Sequence, residues 1–294
     1  MACGQNPPVG SSPPGLGAPP ELRVMVKAKR WAGVLRYAKE ELNRSPSEPR
    51  LHYWRGVAEF YLGDFVQAVM AFRSAQRLGL DSAPLHDALG MAYYSIHQYV
   101  LFLEQMRQAI AADPSDAAAY HYLGRYYELK VNNYPLALSY FEKALQRSPE
   151  NVQSLHFRAF CLHMMGQRAE ARAAYETAIR VMEARREPFG WTYQKLAELL
   201  QNADPSSALK YAKKAVEVDP GIDSSHLMLG KMYESTGNLA GAIEEYRKAE
   251  RLKPNDSSVR YVLFRLYRNQ GDTQAAAAEL KMHQKLRQVY GPQQ

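Results

Sequence analysis

A small residue returns at one spacing along most of the chain. Ala68, Ala137, Ala171, Ala208, Ala242 and Ala276 stand at multiples of about 34 residues, with Phe102 in the one gap. Inside each period the apolar residues follow the 3.6-residue rhythm of a helix. A helical unit of that length is a helix pair that cannot bury its apolar face alone, so successive units must stack. The chain therefore reads as an array in which each repeat packs only on its neighbours. Such a strip-like core points away from an enclosed active site and towards an extended binding surface.

Other positions recur in the same phase. Gly56, Gly90, Gly124, Ala159, Ala197 and Gly230 share one place in a first helix, and Ala75, Ala109, Ala144, Ala178, Ala215 and Ala249 share one late in a second helix. Small residues there let paired helices approach closely, where a larger side chain would overpack. A leucine and an aromatic flank the small residue on the same helical face, as in Leu89-Gly90 with Tyr93, Leu123-Gly124 with Tyr127 and Leu229-Gly230 with Tyr233. Gly63-Asp64, Gly166-Gln167, Gly237-Asn238 and Gly271-Asp272 mark inter-helix turns in which a left-handed glycine stops the first helix. Pro46, Pro114, Pro149, Pro220 and Pro254 close units, with Leu80 and Glu183 standing where two further prolines would be.

This pattern resembles the tetratricopeptide repeat. Seven full units start near Pro49, Ala83, Ala117, Val152, Gly190, Asp223 and Ser257. The resemblance implies an all-α fold, a right-handed superhelical solenoid of antiparallel helix pairs whose first helices line a concave surface. The expected organisation is a Pro/Gly/Ser-rich tail or tether over 1–20, a degenerate first helix pair over 21–48, and seven repeats over 49–290 with the last helix as a polar cap. The stretch 183–189, with Arg185-Arg186-Glu187-Pro188, lengthens one connection and is expected to mark a weak boundary between subarrays.

The chemistry of an enzyme is missing from the sequence. There is no phosphate loop, no dinucleotide glycine fingerprint, no His-Glu-x-x-His, no Gly-x-Ser-x-Gly and no Cys-x-x-Cys. No catalytic residue, cofactor, metal or small-molecule substrate is expected. His156 and His163 are two helical turns apart, on the order of 10 Å, too far to chelate one ion. His121 and His156 occupy one position in successive units and read as polar lining, since two ligands without a third make a poor zinc site. Cys161 sits among apolar neighbours and reads as an inert buried thiol.

The expected function is that of a non-enzymatic scaffold or adaptor that holds a protein or peptide in the concave groove. Tyr53, Phe60 and Tyr94 are the expected apolar anchors. Arg125, Lys231, Arg265 and Arg268 are expected to read acidic groups, with His121 and His156 beside them. Some relatives grip a C-terminal carboxylate through repeated Lys and Asn side chains; here the equivalent positions hold Tyr53, Asp87, His121 and His156, so that clamp is absent from the first units. A net charge of +7 suits an acidic partner. A weak RNA or anionic-polymer binder is an alternative, resting on Lys27, Lys29, Arg30 and Arg36 near one end and Arg260, Arg265, Arg268, Lys281, Lys285 and Arg287 near the other. Intervening acidic residues make nucleic acid a poor expectation. As written the chain reads as cytoplasmic. If an apolar signal segment preceded it, Cys3 would be the lipidated residue of a periplasmic lipoprotein aiding assembly of an envelope complex, and that lipid would be its only membrane attachment.

Overall fold

The computed structural model describes residues 18–291, and over that span the chain is sixteen α-helices with no strand. It divides into two compact units, 1–149 and 150–294. The first contains α1 (Pro20–Lys27), α2 (Trp31–Arg44), α3 (Pro49–Tyr61), α4 (Phe65–Arg77), α5 (Ala83–Ser95), α6 (Tyr99–Ala112), α7 (Ala117–Leu129) and α8 (Tyr134–Arg147). The second contains α9 (Val152–Met164), α10 (Arg168–Arg185), α11 (Gly190–Leu200), α12 (Pro205–Val218), α13 (Asp223–Ser235), α14 (Leu239–Leu252), α15 (Ser257–Gln270) and α16 (Thr273–Tyr290). Most of the expected tail, Cys3 included, lies outside the described residues. Pro20 already belongs to α1, at its first position, where a proline lacks only an N–H that the helix leaves unpaired anyway.

The seven first helices α3, α5, α7, α9, α11, α13 and α15 begin at the residues where the periodicity places them. Their caps are local. Asp116, Asn151 and Asp256 accept backbone N–H groups of the first turns of α7, α9 and α15. Gly63, Gly166, Gly237 and Gly271 all take positive φ in the inter-helix turns, and His97 and Asn132 adopt the same conformation where no glycine is present.

Within each pair the small residue of the first helix seats a side chain of the second. A Cβ on Gly56 would lie 2.7 Å from the Phe72 ring, and one on Gly124 would lie 2.7 Å from the Phe141 ring. Gly230 faces Tyr246 at 3.0 Å, and Gly90 faces the flexible end of Met106. Phe72 and Phe141 are both wholly buried. The glycines thus make room for ring faces more than for a neighbouring backbone. In the first unit the resulting core is dense. Eleven of the thirteen residues of α5 are buried, so this helix is enclosed on every side.

The stretch 183–189 lies inside the second unit rather than at its edge. There α10 runs to eighteen residues and stops at Arg186, which takes a left-handed conformation, and α11 is correspondingly short at eleven residues. At the end of this unit four charges are packed together. Arg260 bonds Glu250 and Glu279, and Arg247 lies 2.6 Å from Glu279 and 2.8 Å from Glu250, with Glu279 only 5% exposed. These pairs join α14, α15 and α16, and the Arg247 guanidinium also donates to the Tyr267 hydroxyl at 3.2 Å.

Gly124→Ala is expected to destabilise the protein by about 1 kcal/mol and by at most about 2, because overpacking against a rigid buried ring costs about 1–3 kcal/mol and the gain in helix propensity returns about 1. Gly230→Ala, with a looser seat, is expected to fall within about 0.5 kcal/mol of wild type. Urea unfolding of both variants checks this, and equal effects would contradict the ring-seat account.

Candidate partner-binding surface

The first helices of the two units use their inner positions differently. In the first unit the aromatics are spent on the protein's own core. Tyr53 is 4% exposed and packs on Phe72 with ring centroids 5.8 Å apart. Phe60 packs on Phe65 at 5.1 Å, and Tyr94 packs on Phe102 at 5.4 Å. These contacts link the two helices of a single pair, so the expected groove anchors Tyr53, Phe60 and Tyr94 are core residues. A buried ring gains more from desolvated area and edge-to-face packing than a solvent-facing one would.

The two histidines are interior as well. His121 packs on Phe141 at 5.6 Å, and burial, with Arg125 beside it, pushes its imidazole down to about 3. His156 is 3% exposed and its Nδ1 shares a hydrogen bond of 3.1 Å with the Thr192 hydroxyl. The two fall in different units. Arg125 is bonded to Glu128, and both side chains are largely buried. Burial is the main influence on Glu128, pushing its carboxyl up against the pull of Arg125. His121, His156 and Arg125 therefore serve packing and internal pairing. No three His, Cys, Asp or Glu side chains gather as a metal site would require among the described residues.

Beyond α9 the second unit keeps its inner positions largely polar, and those of α13 and α15 include exposed charges. Its first helices touch in series: Lys195 of α11 lies 5.6 Å from the Phe160 ring of α9, Ser224 of α13 donates to Gln194 of α11 at 3.2 Å, and Arg265 of α15 pairs with Glu234 of α13. Lys231 lies three residues before Glu234 and is exposed. Tyr261, Arg265 and Arg268 follow one another at helical spacing, so they share one face of α15. Tyr261 is 51% exposed and sits 5.8 Å from Phe264 and 5.3 Å from His283. The Arg268 guanidinium lies over Phe264 at 5.7 Å. Arg265 has Glu234 for a carboxylate partner, whereas Lys231 and Arg268 have none among the described residues. Lys195 and Phe264 also belong to this row; the sequence signal for them is an aromatic four residues before a basic residue, as in Trp191 with Lys195 and Phe264 with Arg268.

Arg260, expected in a basic cluster, is locked between Glu250 and Glu279 and cannot serve a phosphate. No described helix is long and apolar enough to cross a membrane.

Family models described as tetratricopeptide repeat match residues 89–152 and 193–257, and a second model of the same description matches 128–183, together more than half of the chain. The chain belongs to the tetratricopeptide repeat proteins. Among curated proteins it is similar to the human antiviral innate immune response effector IFIT1, with 26% identity over 180 residues. That alignment covers 61% of this chain and 34% of the relative, so the chain spans about a third of that protein's length. Among solved structures it is similar to the APC/C hetero-tetramer Cut9-Hcn1, with a TM-score of 0.71 and 12% identity, covering 83% of this chain and 48% of that one. It is also similar to PilF of Pseudomonas aeruginosa, with a TM-score of 0.62, 20% identity, and 72% and 94% of the two chains covered. The type IV pilus biogenesis factor PilW gives a TM-score of 0.62 at 20% identity, with 73% and 98% covered. At these identities the likeness to solved structures is one of fold.

The buried imidazole gives this tetratricopeptide array a pH dependence of defined sign. His121 stays neutral in the folded protein down to about pH 3, whereas an unfolded chain protonates it below about 6.5. Its contribution to stability is therefore whole above pH 6.5 and lost progressively as pH falls below it. At pH 5 the loss amounts to about 2 kcal/mol. His121→Leu should narrow its stability gap to wild type by that amount between pH 7 and pH 5 in denaturant titrations. A constant gap over the two pH values would show that His121 is not held neutral.

Proposed function

We propose that the chain is a non-enzymatic scaffold that binds an acidic peptide segment of a protein partner along the first-helix row of its second unit. The observation that carries this reading is the composition of that row. Among the described residues Lys231 and Arg268 are exposed without carboxylate partners, and Tyr261 stands half-exposed beside Arg265 on the same helix face. An exposed aromatic that shares its row with two such cations supplies both an amphipathic contact and charge complementarity to an extended acidic ligand. Tetratricopeptide arrays present side chains of successive repeats at regular intervals, and a peptide lying across several first helices meets them in turn. The first unit, whose inner aromatics are consumed in packing, acts as the rigid support.

The test is selection from a random peptide library on the immobilised full-length chain. Enriched peptides are expected to carry several Asp or Glu residues and at least one apolar residue. Lys231→Glu with Arg268→Glu should weaken the selected peptides about tenfold, or roughly 1.4 kcal/mol, with unchanged helical circular dichroism. Enrichment without acidic residues, or equal binding by the variant, would reject the row as the binding surface.

A further inference from the structure

The irregular stretch at 183–189 creates a second feature that the first-helix row does not use. Where α10 gains its extra length and α11 is short, a cleft of about 710 Å³ opens, lined by Ile179 and Glu183 of α10, Tyr193 of α11, and α12 from Ser206 to Glu217. That volume lies in the range of small-ligand and peptide-side-chain pockets, about 300–1,000 Å³. It is lined chiefly by second helices. Tyr193 is two residues from Lys195, and a two-residue step turns a helical side chain well away from the first, so the cleft and the row are separate surfaces.

Its floor is aliphatic and aromatic with the Glu183 carboxylate set in it, and three lysines stand along its α12 side. Ile179 and Tyr193 are buried, Leu209 is half-buried, and the rings of Tyr193 and Tyr211 stack with centroids 6.4 Å apart. Of the two carboxylates of the lining, Glu217 pairs with Lys214 at 2.8 Å, whereas Glu183 accepts from the Tyr193 hydroxyl at 2.6 Å, a neutral donor that does not offset its charge. Among the described residues, Lys210 is exposed with no partner, and Lys213 has only the Tyr233 ring, 5.6 Å from its ammonium. The nearby Arg172 is paired with Glu176 at 2.9 Å and adds no free charge. The cleft thus presents the Lys210 and Lys213 ammonium groups over an aliphatic and aromatic floor, and its three lysines against two carboxylates leave the lining with a formal net charge of about +1.

We propose that this cleft docks a short acidic segment of a partner protein, with an aliphatic side chain against Ile179, Leu209 and the tyrosine pair, and carboxylates on Lys210 and Lys213. Charge complementarity and the apolar floor select this occupant over a nucleic-acid backbone. Two free cations neutralise too few phosphates for a polyanion track, and an aliphatic floor has nothing to offer one. The proposal stands independently of the first-helix row.

The experiment is an array of acidic eight-residue peptides with a central Leu, Ile or Val, beside matched peptides with a central Ser, probed with the fluorescently labelled full-length chain. The aliphatic set is expected to retain the protein. To silence the first-helix row, the cleft substitutions are read in the row variant Lys231→Glu with Arg268→Glu, which should itself still retain the aliphatic set. In that background Lys210→Ala with Lys213→Ala should weaken the retention about tenfold, and Leu209→Glu should abolish it, both with unchanged circular dichroism. The cleft assignment is overturned if the row variant retains no aliphatic acidic peptide, if Ser serves as well as Leu, or if the added cleft substitutions leave retention unchanged. Displacement by oligouridylate at equal charge concentration would also overturn it, in favour of a general polyanion surface.

Discussion

Everything in this fold depends on a glycine or alanine of one helix meeting a bulky side chain of the next. Phe72 lies where a Cβ on Gly56 would be, and Phe141 does the same at Gly124. A protein interior tolerates little void and little overlap. The pair must therefore keep one spacing and one rotation, and each copy inherits the geometry of the last. That repetition leaves each first helix with a single stripe of positions that packing does not claim, and the two units dispose of this stripe in opposite ways.

In the first unit the stripe is filled by large side chains that turn inward. Tyr53, Phe60 and Tyr94 each reach an aromatic of their own helix pair, and α5 becomes buried on all sides. In the second unit Arg268 stands at the position of Phe60 and Tyr94, and Lys231 and Arg265 stand at that of Val57 and Met91; their charged ends are costly to desolvate and so remain at the surface. One repeat therefore yields one half whose stripe is packed away and one half whose stripe carries exposed charge.

The sequence was legible where a single periodic signal carried the outcome. The starts of all seven first helices, the left-handed glycines at 63, 166, 237 and 271, and the family itself follow from spacing and residue type. Side-chain destination was harder to read. An aromatic such as Tyr94 fits either a groove or a core by its helical phase, and what decides is the partner ring at Phe102, a neighbour supplied by the paired helix. Arg260 looked like part of a basic cluster because its two carboxylate partners come from the helices before and after it. The irregular connection at 183–189 was visible as a departure from the period, yet the cleft beside it depends on the extra length of α10, which no local motif encodes.

The ion cluster that ties α14, α15 and α16 together has a bearing on modular engineering. Repeat arrays are commonly shortened, extended or recapped by exchanging whole helices. Here the final helix contributes Glu279 to two buried or half-buried guanidinium groups, so α16 is part of the preceding repeats' interior as well as their polar cover. A generic capping helix grafted after Gln270 would strand Arg247 and Arg260 with Glu250 as their sole common counterion, and uncompensated buried charge is among the most destabilising of single defects. Any replacement terminus must bring a carboxylate to that place or be installed together with neutral residues at 247 and 260.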